Sequence, residues 1–156
     1  MQSQARPTAS ATPALVGKTY RCALHVRGYE LDSFGHVNHG VYVSYLEHAR
    51  WQLLHEEGIT LETFKEWKTW PVISHIELDY LKPTYLGDEL TVETTHLDHG
   101  KTWMVFHQVI TKAGVAVLRA SVKVVTVNEA GRPCPLPARM ERCWTPEASN
   151  PIGAAL

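Results

Sequence analysis

One long amphipathic stretch stands ahead of four alternating apolar runs joined by tight turn signals, and that order limits the folds open to this chain of 156 residues. From Asn38 onward, Tyr42, Tyr45, Leu46, Ala49 and Leu53 recur at helical spacing and define one apolar face, while Glu47, His48, Arg50, Gln52 and Glu56 occupy much of the rest. Asn38 is an N-cap candidate, because its side-chain oxygen can accept from a first-turn N–H. Gly58 is a stop signal. The strand runs are Val72 to Leu81, Glu89 to Leu97, Lys101 to Thr111 and Val115 to Val127, punctuated by Lys82-Pro83, His99-Gly100 and Ala113-Gly114. In the last run Ala116, Leu118, Ala120, Val122 and Val124 face one way, and Arg119, Ser121 and Lys123 the other.

An earlier alternating run, Tyr20, Cys22, Leu24 and Val26 against Arg21, Ala23, His25 and Arg27, reads as a half-buried first strand. A short helix is expected over residues 60–68, with Leu61, Phe64 and Trp67 spaced by three and Trp70-Pro71 ending it. Pro137 to Arg142 reads as a final helical turn. Hairpin-linked strands give an antiparallel sheet, and the long helix must bury its stripe against it. The expected class is α+β, with about five strands wrapped around one helix. Such a sheet keeps open edges that a partner subunit can cover.

Composition narrows function by exclusion. A formal charge of −1 gives no basic face for nucleic acid, and no apolar stretch reaches the roughly 18 residues of a membrane span. Cys22, Cys134 and Cys143 are odd in number and lack CxxC spacing, which argues against a disulfide scaffold or zinc finger and for a reducing cytoplasm. Residues 1–17 are rich in Ala, Ser, Thr, Gln and Pro and read as a disordered tail. Their lack of acidic residues suits a transit peptide, but Arg6 is their one basic residue. The expected division is a tail over 1–17, one domain over 18–145 and a second tail over 146–156.

The chemistry concentrates where the long helix begins. Asp32-Ser33-Phe34-Gly35-His36-Val37-Asn38-His39-Gly40 places one carboxylate in a short loop that runs into a helix N-terminus. Such a terminus carries unpaired N–H groups and about half a positive charge. A carboxylate can attack a thioester carbonyl or activate water, and a pre-aligned N–H can hold the developing oxyanion. Gly35 and Gly40, lacking Cβ, let a substrate approach the backbone closely. The same string also reads as a turn that merely caps the helix. His36 and His39 could orient Asp32 or the substrate, or simply stabilise the turn.

The rest of the sequence offers weaker candidates. There is no HExxH or GxSxG string, and His48 and His55 stand too far apart along the helix for one metal site. No metal and no cofactor is expected. Glu47 with Arg50 reads as an intrahelical ion pair, with Glu47 also a possible pocket residue. Phe64, Trp67 and Trp70 could wall an acyl pocket or pack a core.

The string Asp32-x-x-Gly35-His36-Val37-Asn38-His39-x-x-Tyr42-x-x-Tyr45-x-Glu47-x-Ala49-Arg50, with the element order, resembles the hotdog-fold acyl-CoA thioesterases, and within them the 4-hydroxybenzoyl-CoA thioesterase group. The resemblance covers roughly residues 18–145. It implies that Asp32 is the catalytic carboxylate and that the His39 N–H polarises the carbonyl, with Asn38, Gly35 and His36 around them. It implies an acyl-CoA or acyl-carrier thioester as substrate, coenzyme A entering with it. From the residues themselves, Gly40, Tyr42 and Glu47 are candidates to line such a site, and Lys82, Lys101 and Arg119, near strand ends or on the outer strand face, could with Thr102 meet the coenzyme A phosphates or serve surface solubility alone. A homodimer or homotetramer with sites at subunit interfaces is also implied. Two positions depart from the pattern: His39 stands where an Asn is frequent, and Trp103 where a serine is frequent. Two other activities suit this scaffold: a non-hydrolytic acyl-CoA or acyl-carrier-binding module, and a hydratase or dehydratase pairing Asp32 with His36.

Overall fold

The computed structural model describes residues 17–142. The expected tails over 1–17 and 146–156, and Cys143, therefore lie almost wholly outside the described residues. Strand β1 (Thr19–His25) is followed by the long helix α1 (Val41–Glu56), a short helix α2 (Leu61–Trp67), strands β2 (Thr69–Tyr80), β3 (Glu89–His99), β4 (Trp103–Lys112) and β5 (Val115–Asn128), and a last helical turn α3 (Ala138–Arg142). The strands form one antiparallel sheet in the order β1-β3-β4-β5-β2. Two edges remain, at β1 and β2.

The expected helix face is the buried one: Tyr42, Tyr45, Leu46, Ala49 and Leu53 pack onto the sheet. Opposite them lie Leu90, Val92, Met104, Phe106, Ile110, Leu118, Val122 and Val124. Burying such side chains stabilises by about 1.5–3 kcal/mol each, which outweighs local preference and sets the helix on that face. In β5, Leu118, Ala120, Val122 and Val124 point into this core as their alternation requires. Gln108 is wholly buried among them, and its amide donates to the Leu46 carbonyl at 3.0 Å and to Thr94 Oγ1 at 2.9 Å.

Three expectations about the elements need correction. Helix α1 begins at Val41 with Gly40 as its N-cap, not at Asn38; the Asn38 side chain accepts instead from the Gly40 N–H at 2.9 Å. Trp70-Pro71 does not end α2. The helix stops at Lys68, which takes a left-handed φ of 51°, and Trp70 and Pro71 lie inside β2. A proline is tolerated there because β2 is an edge strand. Finally, Arg50 does not belong to the polar face of α1, because it is buried.

Candidate active site

The loop before α1 is tied down by bonds that its residue types make inevitable. Asp32 Oδ1 accepts from the backbone N–H of Phe34 (2.9 Å) and of His36 (3.2 Å), as a short carboxylate does in an Asx turn. Its own N–H donates to the His36 carbonyl at 2.7 Å, and its carbonyl accepts from Gly35 at 3.1 Å. Gly35 closes the turn with a φ of +81°, which a side chain would strain. Both side-chain bonds use one carboxylate oxygen, Oδ1. Oδ2 has no protein donor among the described residues.

The helix entry is bonded just as selectively. Both polar groups of the peptide between His39 and Gly40 are occupied: Asn38 Oδ1 accepts from the Gly40 N–H, and the His39 carbonyl accepts from the Tyr80 hydroxyl at 2.9 Å. In the preceding peptide the Asn38 carbonyl accepts from Val41 at 2.9 Å, while the His39 N–H has no acceptor among the described residues. That bond to the carbonyl polarises the peptide and leaves its N–H available to a ligand. Asp32 and His39 line one open cavity of about 300 Å³, together with His36, Val37, Tyr42, Tyr80, Leu81, Lys82 and Pro83.

Residues between the strands hold this loop from behind. The Val37 N–H donates to the Thr84 carbonyl at 2.9 Å, and the Tyr42 hydroxyl meets Thr84 Oγ1 at 2.7 Å. The Asn38 N–H donates to the Glu30 carbonyl at 2.9 Å. The Glu30 carboxylate is buried and accepts from Tyr45 Oη (2.6 Å), the Arg27 N–H (2.8 Å) and the Arg27 guanidinium (2.6 Å). Burial alone would raise its pKa, but the bonds from Arg27 and Tyr45 prevail and hold it below the usual glutamate value. Burial and the same carboxylate push the Tyr45 phenol well above its ordinary range.

Sequence reasoning named Asp32, His36, His39, Tyr42 and Lys82, and these meet at the cavity. It missed Glu30, Tyr80 and Thr84, which come from distant segments and follow no local spacing. His36 faces Tyr85 edge-on at 5.3 Å between ring centroids, and its bond to Asp32 runs through the backbone N–H rather than the imidazole.

The other candidates lie elsewhere in the chain. Lys101 and Thr102 sit in the β3–β4 turn, where the Thr102 carbonyl accepts from Thr126 at 2.9 Å. That is the opposite end of β2 from Tyr80, since Thr69 pairs with Asn128 and Tyr80 with Leu118. Arg119 pairs with Asp79 at the Tyr80 end but points away from the core. Glu47 and Arg50 form no ion pair: Arg50 Nη1 donates instead to Gln108 Oε1 at 2.7 Å, because the guanidinium turns inward. Glu47 and Arg50 line a separate pocket with Trp51. Phe64 is fully buried between Trp51 and Trp67, so this aromatic group packs core and does not wall the Asp32 cavity.

Comparison with known proteins agrees with this architecture. Residues 26–143 match the family described as the thioesterase-like superfamily. The chain belongs to that superfamily. As such it is a thioester hydrolase with the hotdog fold. This superfamily member is 36% identical over 113 residues to the long-chain acyl-CoA thioesterase FadM of Escherichia coli, covering 67% of this chain and 80% of FadM. It is 37% identical over 70 residues to the chloroplastic acyl-acyl carrier protein thioesterase ATL3 of Arabidopsis thaliana, there covering 45% of this chain but only 37% of that protein. Among solved structures, a hypothetical protein from Aquifex aeolicus superposes with a TM-score of 0.76 at 23% identity, covering 80% of this chain and 98% of that one. A 1,4-dihydroxy-2-naphthoyl-CoA thioesterase from Synechocystis does so with a TM-score of 0.75 at 19% identity, covering 81% and 95%. These two likenesses concern the fold. No helix among the described residues is long and apolar enough to cross a membrane.

Proposed function

We propose that this enzyme hydrolyses acyl-CoA thioesters, with Asp32 as the catalytic carboxylate and the His39 N–H as the oxyanion donor. One observation carries the reading: a carboxylate oxygen and a helix-entry N–H, both without partners among the described residues, belong to residues lining the same cavity. Asp32 Oδ2 attacks the carbonyl carbon, the oxyanion forms against the His39 N–H, and collapse expels the coenzyme A thiolate to leave a mixed anhydride that water hydrolyses. In the general-base form Asp32 takes a proton from water, whose hydroxide makes the same attack. A donor so aligned is worth about 10²–10³ in rate. The likeness to FadM supports a coenzyme A ester, and the plant relatives support an acyl-carrier thioester; both substrates present the same pantetheine arm.

The hydratase alternative needs an imidazole that shares a proton with the carboxylate, and among the described residues neither the His36 nor the His39 ring is hydrogen-bonded to Asp32. Assembly completes the proposal. Strand β2 is an open twelve-residue edge with Val72 and Ile73 exposed, suited to pairing with the same strand of a second copy. Antiparallel pairing about a twofold axis sets the Thr69 end of one β2 beside the Tyr80 end of the other. The partner's turn at Lys101 and Thr102 then approaches the Asp32 cavity, where cations can meet the coenzyme A phosphates. Thiol release from a panel of acyl-CoA esters tests the activity. Label found in Asp32 after a single turnover in ¹⁸O-water identifies the anhydride form with water attacking Asp32 Cγ, because the general-base form sends all the label to the product acid. No thiol release from any ester would overturn the reading.

A further inference from the structure

The second pocket, of about 110 Å³, is mainly apolar, with Trp51, Leu54, Ile73, Met104, Phe106 and Met140 in its wall. It is comparable with apolar protein cavities of about 150 Å³ that accept benzene. Its one buried charge is Arg50, which is only 9% exposed. A guanidinium has five N–H donors. Here the bond to Gln108 is the one protein hydrogen bond it makes among the described residues, and no carboxylate lies within ion-pair distance. An unpaired buried charge is costly, and an oxygen anion brought to it recovers charge-assisted bonds about twice as strong as neutral ones. Burial lowers the Arg50 pKa to about 10, with Glu47 opposing the shift, so the group stays cationic at neutral pH.

The pocket is placed to serve the Asp32 cavity. Both lie along the seam between α1 and β2: Tyr42 and Tyr80 border one, Trp51 and Ile73 the other. Helix α1 packs mainly on β3 and β1, and between the two pockets this seam is lined on the strand side by the half-buried Ile76 and Leu78 of β2. At 1.5 Å per residue, Val41 to Arg50 spans roughly 14 Å, the reach of an extended acyl chain rather than of a short acyl group. Glu47 stands exposed at the rim, where solvent and salt screen it.

We propose that this pocket receives the far end of the acyl chain and selects chains ending in a carboxylate, which Arg50 binds. The inference rests on the thioesterase reading for its substrate but is tested by binding alone. The probes are S-alkyl-CoA thioethers of increasing length, each ending in methyl, hydroxyl or carboxylate, titrated calorimetrically into the full chain. At lengths that reach the pocket, carboxylate ends should bind about tenfold tighter than methyl ends or better, with hydroxyl between. Arg50→Met should abolish that order. Equal or weaker binding of carboxylate ends at every length, or an order unchanged in Arg50→Met, would overturn the proposal. Should Arg50→Met not fold, Met140→Trp fills the pocket without removing the cation. It should shift the preferred chain to shorter lengths, and an unaltered length preference would count decisively against the site. Thiol release from short acyl-CoA esters reads the hydrolytic activity separately, so failure of that activity and failure of this pocket remain distinguishable.

Discussion

Glu30 and Asp32 are two residues apart, yet the fold uses their carboxylates in opposite ways. Glu30 is buried, and both its oxygens are occupied by Arg27 and Tyr45. Asp32 is half-buried, and only one oxygen is committed, to two amides of its own loop. The first carboxylate has nothing left to offer a ligand and the second has one oxygen held ready. The contrast shows that a polar group becomes chemically available when the surroundings fix its position without satisfying it. One carboxylate is used up by the fold; the other keeps the oxygen on which the proposed chemistry depends.

Substitutions can break this division of labour. Asp32→Asn should lower kcat for thiol release by about 10²–10⁴ while moving the melting temperature little, because an amide oxygen still accepts the two loop bonds. Retention of wild-type kcat would place the chemistry elsewhere. Glu30→Gln should do the reverse, costing about 2–3 kcal/mol of stability in a denaturant titration while activity per folded molecule stays within a few-fold. Its pH dependence has a definite sign. Because the folded Glu30 pKa is lowered, its stabilisation is complete above the unfolded value and fades as pH falls through the folded one. The stability gap between wild type and Glu30→Gln should therefore be wide at pH 7 and close under acid.

Smaller changes sharpen the comparison on the donor side. Tyr80→Phe removes the hydroxyl that holds the His39 carbonyl, and should reduce kcat up to about tenfold with less than about 1.5 kcal/mol lost from stability. An unchanged kcat would mean that the peptide needs no such support. His39→Ala retains the backbone N–H and should cost only a few-fold in kcat/KM. A loss equal to that of Asp32→Asn would assign the work to the imidazole.

Much of the fold was legible because its signals are local. The stripe Tyr42, Tyr45, Leu46, Ala49, Leu53 and the alternation from Leu118 to Val124 each follow from one period applied to neighbouring residues. Boundaries were less legible. Pro71 reads as a breaker until the edge position of β2 removes any need for its N–H, and Asn38 reads as a cap until its oxygen is found on Gly40. Arg50 reads as solvent-facing, because its burial depends on Gln108, 58 positions later.

From residue order alone came the class of the sheet, the inward face of the long helix and the loop in which Asp32 sits, since each depends on spacing along a few turns or strands of chain. Which donors and acceptors would be left unmatched depended on packing. Tyr80 over the His39 carbonyl, Thr84 behind Val37 and Tyr42, and Gln108 against Arg50 join segments that meet only when the sheet closes over the helix. Hydrogen-bond satisfaction is a property of a completed neighbourhood, and no period in the chain encodes it.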